Sequence, residues 1–177
     1  MAGKFEIRRA VYADAPRLAE IHIMGWRNAY RGIVKDDYLF GRLRVEKSIA
    51  RFRTTLSEGT EETWVAEAEG ILYAFMTIGD SRDADRGRDS FELWGIYADP
   101  FLMRSGAGSA LLGFCEAEAA KREKREVLIW CFEKNPIGRA FYEKHGYLPE
   151  GKSQVIEFFG EAEMRYMKAL PPPPAAV

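Results

Sequence analysis

The residues with the types and spacing for chemistry are concentrated between positions 94 and 112, WGIYADPFLMRSGAGSALL, of this 177-residue chain. The first five are apolar, aromatic or β-branched and read as a strand. Asp99-Pro100 ends it, because proline donates no hydrogen bond to a ladder and turns the residue before it away from helix. Gly106 and Gly108 then open an apolar run at helical spacing, with Ala107, Ala110, Leu111 and Phe114 along one side. A strand, a glycine turn and a helix start together form an anion site. The first helical N–H groups have no internal partner, they lie at the positive end of the macrodipole, and glycine lets a phosphate approach the backbone. The turn lacks the Gly-Lys-Ser/Thr of a Walker loop, and Leu111 stands where a dinucleotide fingerprint needs its third glycine. A pyrophosphate of another kind remains open, as does a purely steric reason for the glycines.

A second stretch, residues 135–147, reads NPIGRAFYEKHGY. Asn135 stands at a helix start and suits an N-cap. Taken with the glycine turn, the stretch resembles the GNAT superfamily of acyl-CoA-dependent N-acyltransferases. That family pairs R/Q-x-x-G-x-G/A with a later N-x-x-A/G-x-x-F-Y-x-x-x-G-F/Y. Gly106 and Gly108 fall in register with the first motif; Asn135, Gly138, Phe141, Tyr142, Gly146 and Tyr147 fall in register with the second. The resemblance is close over residues 91–147 and holds elsewhere in element order only. It departs at Met103, which occupies the usual Arg or Gln position, with Arg104 beside it. Backbone donors do most of the phosphate binding in such a loop. Weakened or altered affinity is therefore expected, with Arg104 supplying the charge from the neighbouring position.

The resemblance implies that an amine attacks the thioester of acetyl-CoA directly in a ternary complex, with no metal. Pyrophosphate would rest on Arg104, Ser105, Gly106, Ala107, Gly108 and Ser109. The pantetheine arm would add to the sheet beside Ile96, Tyr97 and Ala98, with a further hydrogen bond from Asn135. Tyr142 would protonate or stabilise the departing thiolate, since a phenol of pKa about 10 is a neutral donor at pH 7; otherwise it is an aromatic packed beside Phe141. An ammonium acceptor must lose a proton before it can attack. Glu92 is the candidate base, directly or through water, against an ordinary solvent-facing strand residue, and Glu133 is a weaker candidate. Trp26, Tyr30 and Arg31 would wall the acceptor pocket, with the loop at 148–154; read without the resemblance, the aromatics equally suit a helix corner capping the core.

The elements that must position these groups follow from the periodicities. A strand at 5–8 precedes a helix starting at Asp14-Ala15-Pro16, in which the lone His22 reads as a packed residue rather than a catalyst. Helical stretches follow from Asp36 and over 45–56. From residue 63 the period becomes two, giving a hairpin about Glu69-Gly70, a charged loop at 81–89 that reads as solvated, and a strand at 91–98. A helix over 106–122, a continuously apolar strand at 126–132, a helix at 135–144 and strands at 155–159 and 164–167 complete the chain. This is an α/β (α+β) fold. The resemblance makes it a GNAT-like, mixed but mostly antiparallel twisted sheet of six to seven strands, splayed between the fourth and fifth and flanked by about four helices. Residues 1–170 form one acetyltransferase domain and 171–177 a proline-rich tail. A net charge of −1 gives no field favouring nucleic acid or an anionic membrane. No apolar run approaches the roughly 18 residues of a span, and Cys115 and Cys131 fit two free thiols in a reducing cytoplasm. The expected activity is N-acetylation of a small-molecule primary amine. A protein N-terminal or lysine acetyltransferase and a non-catalytic acyl-CoA-binding module are the alternatives, and a homodimer is compatible with the fold.

Overall fold

The structure is a computed structural model and describes residues 5–171; all but the first residue of the proline-rich tail lies outside them. Seven strands form one sheet in the order β1-β2-β3-β4-β5-β7-β6. They are β1 Glu6–Arg9, β2 Glu62–Ala68, β3 Ile71–Asp80, β4 Ser90–Ala98, β5 Glu126–Phe132, β6 Leu148–Ile156 and β7 Glu161–Ala169. Neighbours are antiparallel except β4 and β5, which run parallel. That pair is joined through the helix α3, Ala107–Lys121, as a parallel connection requires. The helices α1 (Ala15–Ala29) and α2 (Val45–Glu58) pack on one face, where Leu18, Ile21 and Phe52 meet Val65 and Phe75. On the other face α3 and α4 (Pro136–Lys144) bring Leu111, Leu112, Cys115 and Tyr142 against Met76, Ile78, Val127 and Ile129. Phe75 and Met76 serve opposite layers because successive strand side chains point to opposite faces. Each fully buried Leu or Phe contributes about 1.5–3 kcal/mol to holding the layers together.

The splay has a local cause. Thr77 pairs with Gly95 and Ile78 with Leu93, so Trp94 is an extra residue in β4. A bulge of this kind bends its strand and increases the twist. The parallel pairing of β4 with β5 covers Ser90 to Leu93 and stops there, while β5 stays paired with β7 as far as Phe132 opposite Glu163. Residues 94–98 therefore keep β3 as partner on one side and present an open edge on the other.

One sequence expectation is corrected and another is refined. The penultimate strand is Leu148–Ile156, not 155–159; Phe158 and Phe159 lie in the turn before β7, where Gly160 has φ 68°. Their rings pack on Tyr38, and that of Phe159 also on Trp26 and Phe132. The charged loop at 81–89 is mostly exposed, as expected, and is also pinned at its middle: Asp83 accepts from Trp130 Nε1 at 3.0 Å, and the buried Arg165 holds Asp83, Asp85 and Glu150. Among the described residues, no helix is long and apolar enough to cross a membrane. Both cysteines are free and buried.

Candidate active site

The open edge of β4 and the start of α3 border a groove in three connected parts. The outermost, about 760 Å³, runs from Ala98 and Met103 past the 104–109 loop to Ile137, Phe141 and His145. Arg104 and Gly106 both have positive φ, 60° and 97°. Gly106 caps α3, and a Cβ there would meet nothing closer than Phe5 at 3.9 Å, so glycine is required by conformation, not by space. Gly108 lies under the Phe141 ring, which a Cβ there would meet at 3.4 Å, an ordinary contact. His145 ties the same two helices, with Nδ1 donating to the Phe141 carbonyl at 2.8 Å and Nε2 meeting the Ser109 hydroxyl at 3.0 Å. Met103 stands at the inner end of this loop, its sulfur 3.8 Å from Asn28 Nδ2.

The middle part, about 170 Å³, lies between Ile96, Tyr97 and Ala98 of β4, Asn28 of α1 and Asn135 and Gly138 of α4. Asn135 is buried and caps α4, Oδ1 accepting from the Gly138 N–H at 3.0 Å. Its Nδ2 has no acceptor among the described residues, although it lies in a wall built of backbone edges. A Cβ at Gly138 would come within 2.6 Å of that Nδ2 and 3.0 Å of Cys131 Sγ; the cap exists in this form because residue 138 is glycine.

The inner part, about 360 Å³, is walled by Trp26 of α1, Tyr30 just beyond its end, Trp94 of the bulge, Trp130 and Phe132 of β5 and Phe159. Its polar groups are Arg82, Asp83, Glu92, Gln154 and Glu163. Both oxygens of the buried Glu92 accept from Arg82, one from the backbone N–H at 2.8 Å and one from the guanidinium at 2.5 Å. Tyr142 borders both the middle and the inner part. It is 8% exposed, and among the described residues its hydroxyl has no hydrogen-bond partner. Burial raises its pKa, so it is a neutral phenol at any ordinary pH. Cys131, behind the same wall, is pushed up to about 12 by burial. It stays a thiol, which argues against a cysteine carrying the acyl group.

The structure thus gathers most of the residues expected from the sequence into one groove: positions 96–98, 104–109, Asn135, Tyr142, Glu92, Trp26 and Tyr30. Arg31 lines none of the three parts. It lies outside the groove with its guanidinium 5.9 Å from the Phe40 ring centre, because the chain turns at Gly32 with φ 81°. Of the expected 148–154 wall, Gln154 alone reaches the inner chamber, and Glu133 is not part of it. Sequence reasoning missed Arg82, Asp83, Trp94, Trp130, Phe132 and Glu163. The composition of the 81–89 loop hid the first two, and only the strand register locates the others.

The fold and this groove are those of an acyltransferase that seats its donor in a split sheet. The profile of the Acetyltransferase (GNAT) family matches residues 23–147, and the chain belongs to that family. It is therefore an acetyltransferase by family. It is 29% identical over 157 residues to a probable N-acetyltransferase of Mycobacterium tuberculosis, covering 85% of this chain and 84% of that one. It is 30% identical over 145 residues to the uncharacterized N-acetyltransferase YuaI of Bacillus subtilis, covering 81% and 79%. Among solved structures it superposes on the PaiA N-acetyltransferase of Thermoplasma acidophilum, crystallised in complex with coenzyme A, with TM-score 0.74 at 21% identity over 92% and 98% of the two chains. The residues present fit the donor: a loop with two left-handed residues ahead of a helix start, an unpaired strand edge, and an amide and a hydroxyl with donors to spare.

Proposed function

We propose that this protein transfers an acetyl group to the primary amine of a small molecule, with amine and donor bound together. Acetyl-CoA, when bound, supplies an activated carbonyl whose thiolate can depart. The N–H groups at the start of α3, with Arg104, bind and neutralise pyrophosphate. The edge of Ile96, Tyr97 and Ala98 offers strand-like pairing to an amide-bearing arm, and Asn135 Nδ2 adds a donor. Tyr142 stands at the junction of the middle and inner chambers, where a thioester carbonyl would meet an amine, and donates its hydrogen bond to the sulfur side. A carboxylate of the inner chamber takes the ammonium proton. For Glu92, whose oxygens are both engaged by Arg82, this means acting through water.

The observation that carries this reading is the position of Tyr142, an unpartnered phenol bordering both chambers at once. The size of the inner chamber, about 360 Å³ and ringed by aromatic side chains, favours a small acceptor over a peptide segment. Free-thiol release from acetyl-CoA in the presence of a panel of small amines and of lysine peptides tests it. We expect amine-dependent thiol release and an N-acetylated product with small amines. Tight coenzyme binding without release would leave only a binding module, and release with the peptides alone would move the acceptor to protein.

A further inference from the structure

We propose that Glu163 of β7, rather than Glu92, receives the proton of the acceptor's ammonium group, and that it makes the inner chamber selective for cationic amines. The proposal rests on the transferase reading above. Four charged side chains line the chamber: Arg82, Asp83, Glu92 and Glu163. Three already have partners. Arg82 and Glu92 hold each other, and Asp83 accepts from Trp130 Nε1 and from Arg165 Nη1 at 2.8 Å. Glu163 accepts one amide hydrogen bond, from Gln154 Nε2 at 2.6 Å, and among the described residues no Lys, Arg or His lies within salt-bridge distance. It is a carboxylate without an ion pair among the described residues, in a chamber whose walls include indole and phenyl faces, surroundings that attract a cation.

Its position suits the task. Glu163 pairs with Phe132, the last residue of β5, across from the open edge of β4. The charged and titratable groups facing it are Arg82 and Asp83 of the 81–89 loop, Glu92 of β4, Tyr30 just beyond the end of α1 and Cys131 of β5. On its own strand Glu161 is held by Lys134 and Arg165 by its three acids. Burial is the largest influence on Glu163 and pushes its carboxyl up. Gln154 and Arg82 oppose this, Asp83 and Glu92 add to it, and the net direction is upward. A carboxyl so raised is a better match to a proton taken near neutral pH than an ordinary one.

The step balances without a further reactant. One ammonium proton passes to the Glu163 carboxylate and later to solvent. The freed lone pair forms the C–N bond as the C–S bond breaks, and the second N–H proton ends on the departing sulfur by way of Tyr142.

The test uses the full chain with acetyl-CoA and two primary amines, benzylamine and 1,4-diaminobutane. For the wild type, kcat/KM for the amine should fall on the acid side. Glu163→Gln should lower kcat/KM about 100-fold at pH 7, abolish that acid limb, recover as pH approaches the amine's own pKa, and leave KM for acetyl-CoA unchanged. Glu163→Asp should restore the limb in part, and Glu92→Gln should keep it. Titration of 13C-glutamate-labelled protein saturated with coenzyme A gives a reading that needs no turnover. One carboxyl resonance should titrate above the ordinary glutamate range, be absent from Glu163→Gln and be retained in Glu92→Gln. If the wild type turns over and Glu163→Gln keeps its rate and acid limb, or if the raised resonance disappears in Glu92→Gln, the inference fails while the transferase reading stands. If the wild type releases no thiol with either amine, both fall.

Discussion

Burial makes the Tyr142 phenol reluctant to ionise, and this decides how it would act in the proposed transfer. A phenol whose pKa is raised by desolvation does not surrender its proton to water. It can give a hydrogen bond to charge developing on sulfur, and it completes the transfer only as that charge grows. Tyr142→Phe keeps the ring that packs on Phe141 at 5.5 Å and removes the hydroxyl alone. Single-turnover acetyl transfer should slow by about 10²-fold with coenzyme A affinity unchanged; an equal rate in the chemical step would remove Tyr142 from the reaction. Tyr142, Asn135 and Gly106 were legible in the sequence because each sits inside a short segment where the local motif and the local chemistry coincide. Glu163, Trp130 and Arg82 were not. They come from three separate strand ends or loops, and only the pairing of β5 with β7 and the pinning of the 81–89 loop bring them to one cavity. Arg31 stands outside the three parts of the groove because α1 ends at Ala29 and the chain turns at Gly32.

At the scale of elements, the N-terminus of α4 is the most exacting joint. Asn135 caps the helix with Oδ1 and keeps Nδ2 for the groove, and residue 138 has no room for a side chain. Gly138→Ala would push the amide aside or break the cap. Coenzyme A affinity should fall on the order of tenfold, with helix stability lowered by about 1 kcal/mol. Isothermal titration and thermal melting measure the two effects, and unchanged affinity would show that the amide takes no part in binding. Most element boundaries were readable, since β5 and the Glu69-Gly70 hairpin announce themselves by composition and turn chemistry. The strand β6 was not. Its exposed, polar residues carry little periodicity, while Phe158 and Phe159 imitate a strand and instead pack across the turn onto α1 and Tyr38. The bulge at Trp94 leaves no mark in composition at all, for it is a relation between two strands.

For the molecule as a whole, His22 sets a pH dependence separate from catalysis. Its ring lies among Trp26, Phe52 and Tyr97, and burial, with Arg51 nearby, pushes its pKa down to about 3. The folded protein keeps it neutral, whereas the unfolded chain protonates it near the ordinary value of about 6.5. Its contribution is therefore fully present above about pH 6.5 and is lost progressively as pH falls toward 3. The melting temperature should decline over that interval, and His22→Leu should flatten the decline; parallel curves would assign the acid sensitivity elsewhere. The layered architecture was foreseeable from element order and from the motifs, and the charge pattern that lines the inner chamber was not, because it is a property of the assembled sheet. The extra residue in β4 has a lasting consequence for substitution. A fault in strand register belongs to the number of residues, not to any side chain, so no single replacement can heal it. Replacements in the walls of the inner chamber would change the side chains there and leave the unpaired edge at residues 94–98 in place.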